Sequence, residues 1–292
     1  MALTLSILYR GPLSSCNYAC EYCPFAKHHE TARELAVDRR ALDRLVSWAV
    51  ARPAEDRISI LFTPWGEALT RRWYREALVR LSRLPQVEKV AIQTNLSVPI
   101  DWVEPADKSR LALWATYHPS EVDRAGFLGR CRELDRRGVR YSVGMVGMRE
   151  HRAEAEALRR ELASGVYLWI NAYKRKPDYY DESDLRLFEA IDPLFPFNTR
   201  RHPSRGMACR TGREVIAVDG DGTMRRCHFI AEPIGNLYDP LFESGLIERA
   251  CTNATCGCHI GYVHLDRLGL GSIFGTGILE RVPARPIWKS EA

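Results

Sequence analysis

The chain has 292 residues, 46% of them hydrophobic and 27% charged, with a formal net charge of +5. That is enough for one large domain with a smaller one attached, and it excludes a disordered, collagen-like or small disulfide-stapled protein. The basicity is mild and largely arginine on helical stretches such as "CRELDRRGVR", which read as solvated helix faces, so no nucleic-acid partner is expected.

The N-terminal "MALTLSILYR" lacks the basic lead of a signal peptide, and no apolar run approaches the roughly 18 residues of a membrane helix. A cytoplasmic protein with no membrane partner is expected. Short apolar runs predict strands at 5–9, 58–63, 89–94, 111–116, 141–146 and 166–171. Segments of helical period fall at 38–51, 70–84, 121–137, 150–163 and 181–191, with a short turn near 101–108. Strands that alternate with helices call for a parallel sheet, and right-handed crossovers curl six such units into a partial barrel. The expected fold class is therefore α/β: a partial (β/α)6 TIM barrel over residues 1–195, open on one side.

In such folds chemistry gathers where strands end and loops begin. The first strand runs into "SSCNYACEYCPFAK", which carries Cys16, Cys20 and Cys23. The later strands end in "TPWGEALT", "TNLS", "TYHPSEV" and "NAYK", so polar and glycine-bearing segments share one rim with the cysteines.

Residues 196–292 form the smaller part. "EVIAVDGDGTMRRC" predicts a hairpin around an Asp-Gly-Asp-Gly turn, and "IGNLYDPLFESGLIERA" a turn and helix. The apolar, glycine-rich tail from His259 is expected to pack over the open side of the barrel, with His259 and His264 in packing roles.

Nine cysteines in a reducing compartment point to metal binding or redox chemistry rather than disulfides. Cys131 stands apart on an amphipathic helix and is expected as a small buried hydrophobe. The others are Cys16, Cys20 and Cys23, then Cys209, Cys227, Cys251, Cys256 and Cys258. Structural zinc wants four ligands, and His28 or His29 could supply a fourth to the first group. A four-iron cluster on three thiolates instead leaves one iron open, and an open position marks a reactive centre.

"CNYACEYC" resembles the CxxxCxΦC signature of the radical S-adenosylmethionine (radical SAM) enzymes, with Tyr22 in the aromatic position, and the partial barrel is that family's fold. The resemblance implies a 4Fe–4S cluster on Cys16, Cys20 and Cys23 whose open iron holds S-adenosylmethionine. Reductive cleavage then gives a 5′-deoxyadenosyl radical that abstracts a substrate hydrogen. "PWGEAL" is similar to the family's GGEP segment, with Gly66 and Glu67 kept and Trp65 and Ala68 departing from it. "TNLS" is similar to its TNG element, which implies Thr94 and Asn95 as cofactor contacts. His118 and Asn171 point to the same rim.

The run from Cys209 through Gly222 to Cys227 resembles the CX9–15GX4C opening of SPASM and twitch domains, and the whole pattern looks closest to the STM-type bacterial radical SAM proteins. This implies one auxiliary 4Fe–4S cluster on four of the five C-terminal cysteines; which four stays open. A zinc ribbon is the alternative for this part. Three functions follow. One is an oxidoreductase acting on a small metabolite or natural-product intermediate, reduced by a partner such as flavodoxin or ferredoxin. Another is a maturase that crosslinks a ribosomal peptide. Such maturases often carry an N-terminal leader-binding domain, which a separate protein would supply here, as the chain opens in a strand. The third is a non-catalytic electron carrier, against which the polar rim argues. No catalytic acid or base is identified.

Overall fold

The computed structural model describes residues 2–25 and 28–288. Strands β1 (Thr4–Arg10), β2 (Arg57–Phe62), β3 (Val87–Thr94), β4 (Leu111–Tyr117), β5 (Arg140–Gly147) and β6 (Leu168–Ala172) lie side by side in chain order, all parallel. Between and after them come helices α1 (Ala32–Val50), α2 (Arg72–Ser82), α3 (Arg124–Arg137), α4 (Arg152–Glu161), α5 (Glu182–Ile191) and α6 (Phe195–Thr199). Six parallel strands in sequential order are the expected barrel units. Among the described residues, no helix is long and apolar enough to cross a membrane.

Local chemistry sets the helix ends. Thr31 and Glu34 make a reciprocal capping box, so α1 begins six residues earlier than periodicity alone suggests. Asp123 caps α3, Gly138 closes it in the left-handed conformation, and Asp181 with Asp184 caps α5.

The C-terminal part joins the same sheet. After the two-residue β7 (His202–Pro203), β8 (Val215–Asp219) pairs in parallel with β1, and β9 (Thr223–Arg225) and β10 (Pro233–Asn236) follow antiparallel. The sheet therefore has nine strands, in the order β10-β9-β8-β1-β2-β3-β4-β5-β6. β11 (Thr255–Cys256) pairs with β7, and α7 (His259–Tyr262) and α8 (Leu270–Phe274) complete the chain.

The hairpin is as expected, but the helix expected in 234–250 is absent; a strand and a 3-10 turn at Phe242–Gly245 stand there. Two residues explain this. Pro240 gives up an amide donor, and Gly245 packs so closely on the Ile234 carbonyl that an added Cβ would lie 2.3 Å from it.

Two apolar layers flank the sheet. The helix-side core gathers Leu5, Ile7, Tyr9 and Ile60 with Leu42, Leu45 and Leu78. The opposite face, with Leu8, Leu61, Trp114 and Trp169, is covered by Tyr262, Leu265, Leu270 and Phe274. The tail was expected over the open side; it also reaches the N-terminal ends of the strands. Buried Glu280 pairs with Lys89 and Arg140, Ser142 donates to its carbonyl at 2.7 Å, and Trp288 donates to Ser164 at 2.9 Å. Arg281 follows, 4.4 Å from the Trp169 ring. The end opposite the cysteine loop is thereby closed.

Candidate functional site

The loop after β1 is held from three sides. Glu30 accepts from the amides of Ser14 and Ser15 at 2.5 and 2.7 Å, and Arg71 donates to Ser15 Oγ at 3.1 Å. Buried Asp38 on α1 accepts from the Leu13 amide and from Trp73 and Tyr74 of α2. The turn after β2 presses on the loop directly: the Glu67 amide donates to the Ser15 carbonyl at 3.0 Å, and a Cβ at Gly66 would lie 1.7 Å from that oxygen. Only glycine permits this approach.

Glu67 is buried, and its carboxylate accepts from Thr94 Oγ1, the Asn95 amide at 2.5 Å and the Leu69 amide at 3.0 Å. Burial pushes its carboxyl up to about 7 against those donors. Asn95 in turn donates to Asn17 Oδ1 at 3.0 Å and lies 3.7 Å from Cys16 Sγ. The three rim residues Glu67, Thr94 and Asn95 thus form one network that ends at Cys16.

His118 serves the other end of the loop. Its Nδ1 lies 2.8 Å from Tyr22 Oη and 3.4 Å from Cys20 Sγ, and its ring stacks on Tyr22. Desolvation lowers its pKa to about 4, so the ring is neutral at pH 7. Cys20 is buried, and Cys16 and Cys23 are half-buried. Asn171 is exposed at the end of β6, on the face that carries Trp169.

The five C-terminal cysteines come together. Cys209, Cys227, Cys251, Cys256 and Cys258 all line one cavity of about 400 Å³, with Lys174, Arg201 and Phe229. Cys227 lies within electrostatic reach of Cys209 and Cys251, and Cys256 within reach of Cys227 and Cys209. Cys258 is walled in by protein yet keeps accessible surface because it faces the cavity, and its charged neighbours are Lys174, Arg10 and Arg281. Among the described residues, no three His, Cys, Asp or Glu side chains meet at a single-ion spacing. Cys131 is buried apart from both groups, and His259 and His264 are buried in packing, as expected.

Sequence reasoning does not single out four further residues here. Lys174 donates to the Gly257 carbonyl at 2.5 Å, and burial lowers its pKa to about 8. Arg10 donates to the Thr63 carbonyl at 3.0 Å and stacks 4.1 Å from the Trp65 ring. His228 lies 3.0 Å from Thr63 Oγ1, and Asn17 bridges Asn95 and Ser97. Only Arg10 carried a signal, as period-2 alternation places it on the face of Ser6 and Leu8.

No protein-family model and no curated protein sequence matches the chain. Among solved structures it is similar to anSMEcpe with bound AdoMet, at 15% identity and a TM-score of 0.54, covering 83% of each chain. It is also similar to anSMEcpe with bound AdoMet and Cp18Cys peptide, at 18% identity and 0.52, covering 84% of this chain and 82% of that one. At these identities the likeness is one of fold.

Proposed function

We propose that this chain is a radical SAM enzyme acting on a small metabolite or natural-product intermediate, with a C-terminal twitch-like module (about 196–292) of the STM type. The observation that carries the reading is the three-cysteine loop after β1, clamped at the C-terminal rim of the sheet by Gly66, Glu67 and Asn95. The shared fold with AdoMet-bound structures supports it.

The donor sets fit iron–sulfur clusters. A lone zinc ion would draw sulfurs to about 2.3 Å of one point, whereas these five thiols surround a cavity of about 400 Å³, room for a multi-iron body. Cys16, Cys20 and Cys23 would hold the cluster that leaves an iron open, and Cys209, Cys227, Cys251 and Cys256 the auxiliary one. When bound, the first cluster and S-adenosylmethionine together supply a 5′-deoxyadenosyl radical, and the second cluster an electron acceptor.

The chain's own residues orient and shield. Asn95 and Asn17 fix the Cys16 end of the loop, and neutral His118 with Tyr22 fixes the Cys20 end. Backbone at Trp65–Gly66 and side chains at Asn95 and Asn171 would contact S-adenosylmethionine. Lys174 holds the Gly257 turn between Cys256 and Cys258. A small acidic electron carrier such as flavodoxin or ferredoxin would supply the electron.

A second reading, a peptide maturase, draws on the similar structure that holds a peptide. Anaerobic reconstitution tests the common core: about eight irons as two four-iron clusters are expected. Replacing Cys16, Cys20 and Cys23 by alanine should remove half the iron and all reductive cleavage of S-adenosylmethionine. Cleavage retained in that variant, or zinc in place of iron, overturns the reading.

A further inference from the structure

A groove of about 870 Å³ runs between α1 and the turn that joins β8 to β9. Its floor is the end of β1, at Arg10, Gly11 and Pro12; Arg40 and Arg44 of α1 form one wall. It borders both cysteine groups. Trp65 lines it and adjoins Gly66, which packs on the backbone just before Cys16. Phe229 lines both this groove and the five-cysteine cavity.

The charge here is lopsided. Four arginines line the groove against two aspartates, Asp219 and Asp221, and Asp219 is already paired with Arg225. Among the described residues, Arg10, Arg40 and Arg44 have no carboxylate within salt-bridge distance. Arg44 stacks 4.0 Å from the Tyr238 ring, and Arg40 alone would read as part of a solvated helix face. Arg10 does not: it is half-buried at a strand end, stacked on Trp65, and desolvation lowers its pKa to about 10. A cation held out of water beside only the Thr63 carbonyl and the Cys258 thiol, with no carboxylate near it, costs free energy that a bound anion would recover.

We infer that this groove takes the anionic end of the substrate, a carboxylate or a phosphate, with Arg10, Arg40 and Arg44 as its partners and the exposed ring of Phe229 against the apolar remainder. The site lies between the two cysteine groups, so a substrate anchored there reaches toward both. That the bound anion belongs to the substrate rests on the radical reading above; that the groove binds an anion does not.

The test is calorimetric titration of the anaerobically reconstituted full chain, at constant ionic strength in KCl, with succinate, inorganic phosphate and neutral succinamide. Succinate or phosphate should bind and succinamide should not, and whichever anion binds tighter assigns the group. In Arg40→Glu/Arg44→Glu the affinity should fall roughly tenfold or more, as loss of a charge-assisted contact predicts, while Arg40→Lys/Arg44→Lys should keep most of it. No binding, equal binding of succinate and succinamide, or unchanged affinity in the glutamate variant overturns the assignment. Wild-type cleavage of S-adenosylmethionine is scored separately. Anion binding without cleavage keeps the groove and sinks the radical reading; cleavage without anion preference does the reverse.

Discussion

A methyl group at position 66 would sit 1.7 Å from the Ser15 carbonyl oxygen, so Gly66→Ala must part the β2 turn from the cysteine loop. Iron loading by that variant should fall by the share of the N-terminal cluster, with the C-terminal share kept; full loading would show that the loop assembles without the clamp. Glu67 makes a different demand. Its carboxyl titrates near 7 in the folded chain, above the ordinary value of about 4.3. A raised acid stabilises the fold most below its unfolded value, and the stability is lost as pH rises through the folded one. Relative to Glu67→Gln, the apoprotein should therefore lose stability between about pH 4.5 and pH 7, by about 3 kcal/mol. Urea unfolding across that range measures it, and a flat difference would mean that the three donors keep the carboxylate ionised throughout. "PWGEAL" places Glu67 in the turn after β2; that its side chain bonds to Thr94 and Asn95 depends on how β2 and β3 lie side by side, which no local pattern records.

At the scale of elements, six strands and five helices were legible because buried parallel strands read as continuous apolar runs and helices as period 3.6. The stretch 234–250 misled because its apolar spacing suits a helix, whereas Gly245 serves a close contact with Ile234. The tail shows the same limit. Its glycines and apolar residues announce packing but not the surface they meet, and Glu280 finds Lys89 and Arg140 far away in sequence. Glu280→Ala strands those two cations at the closed end of the sheet. It should cost about 3 kcal/mol, the low end for removing one partner of a buried pair, because both cations keep some access to water. Denaturant midpoints with an unchanged m-value would check it. A cost well under 1 kcal/mol would make the tail a loose cover.

Across the whole molecule the proposed function assigns the two cysteine groups separate roles, and the five-thiol cavity carries the sharpest expectation. Cys258 neighbours Cys256 but also faces Lys174, Arg10 and Arg281, whereas the charged or titratable neighbours of Cys227 are Arg226, Cys209 and Cys251. Cys258→Ser should keep the auxiliary iron, whereas Cys209→Ala with Cys227→Ala should lose it and still cleave S-adenosylmethionine without substrate. Iron and 5′-deoxyadenosine assays on the two variants decide this; loss of iron in Cys258→Ser would make Cys258 a ligand. What the sequence by itself determined was the set of local and repeating features: the positions of the six strands, the helix periods, and the three-two spacing of Cys16, Cys20 and Cys23. Each of these is written within a few residues, at the range over which backbone geometry acts. What only the tertiary structure decided was the meeting of distant groups: β8 beside β1, five thiols around one cavity, His118 on Cys20 and Tyr22, and Arg10 in one groove with arginines of α1. Those meetings follow from how whole elements pack, and packing is set by the total burial of apolar surface, a property that no short stretch of chain contains.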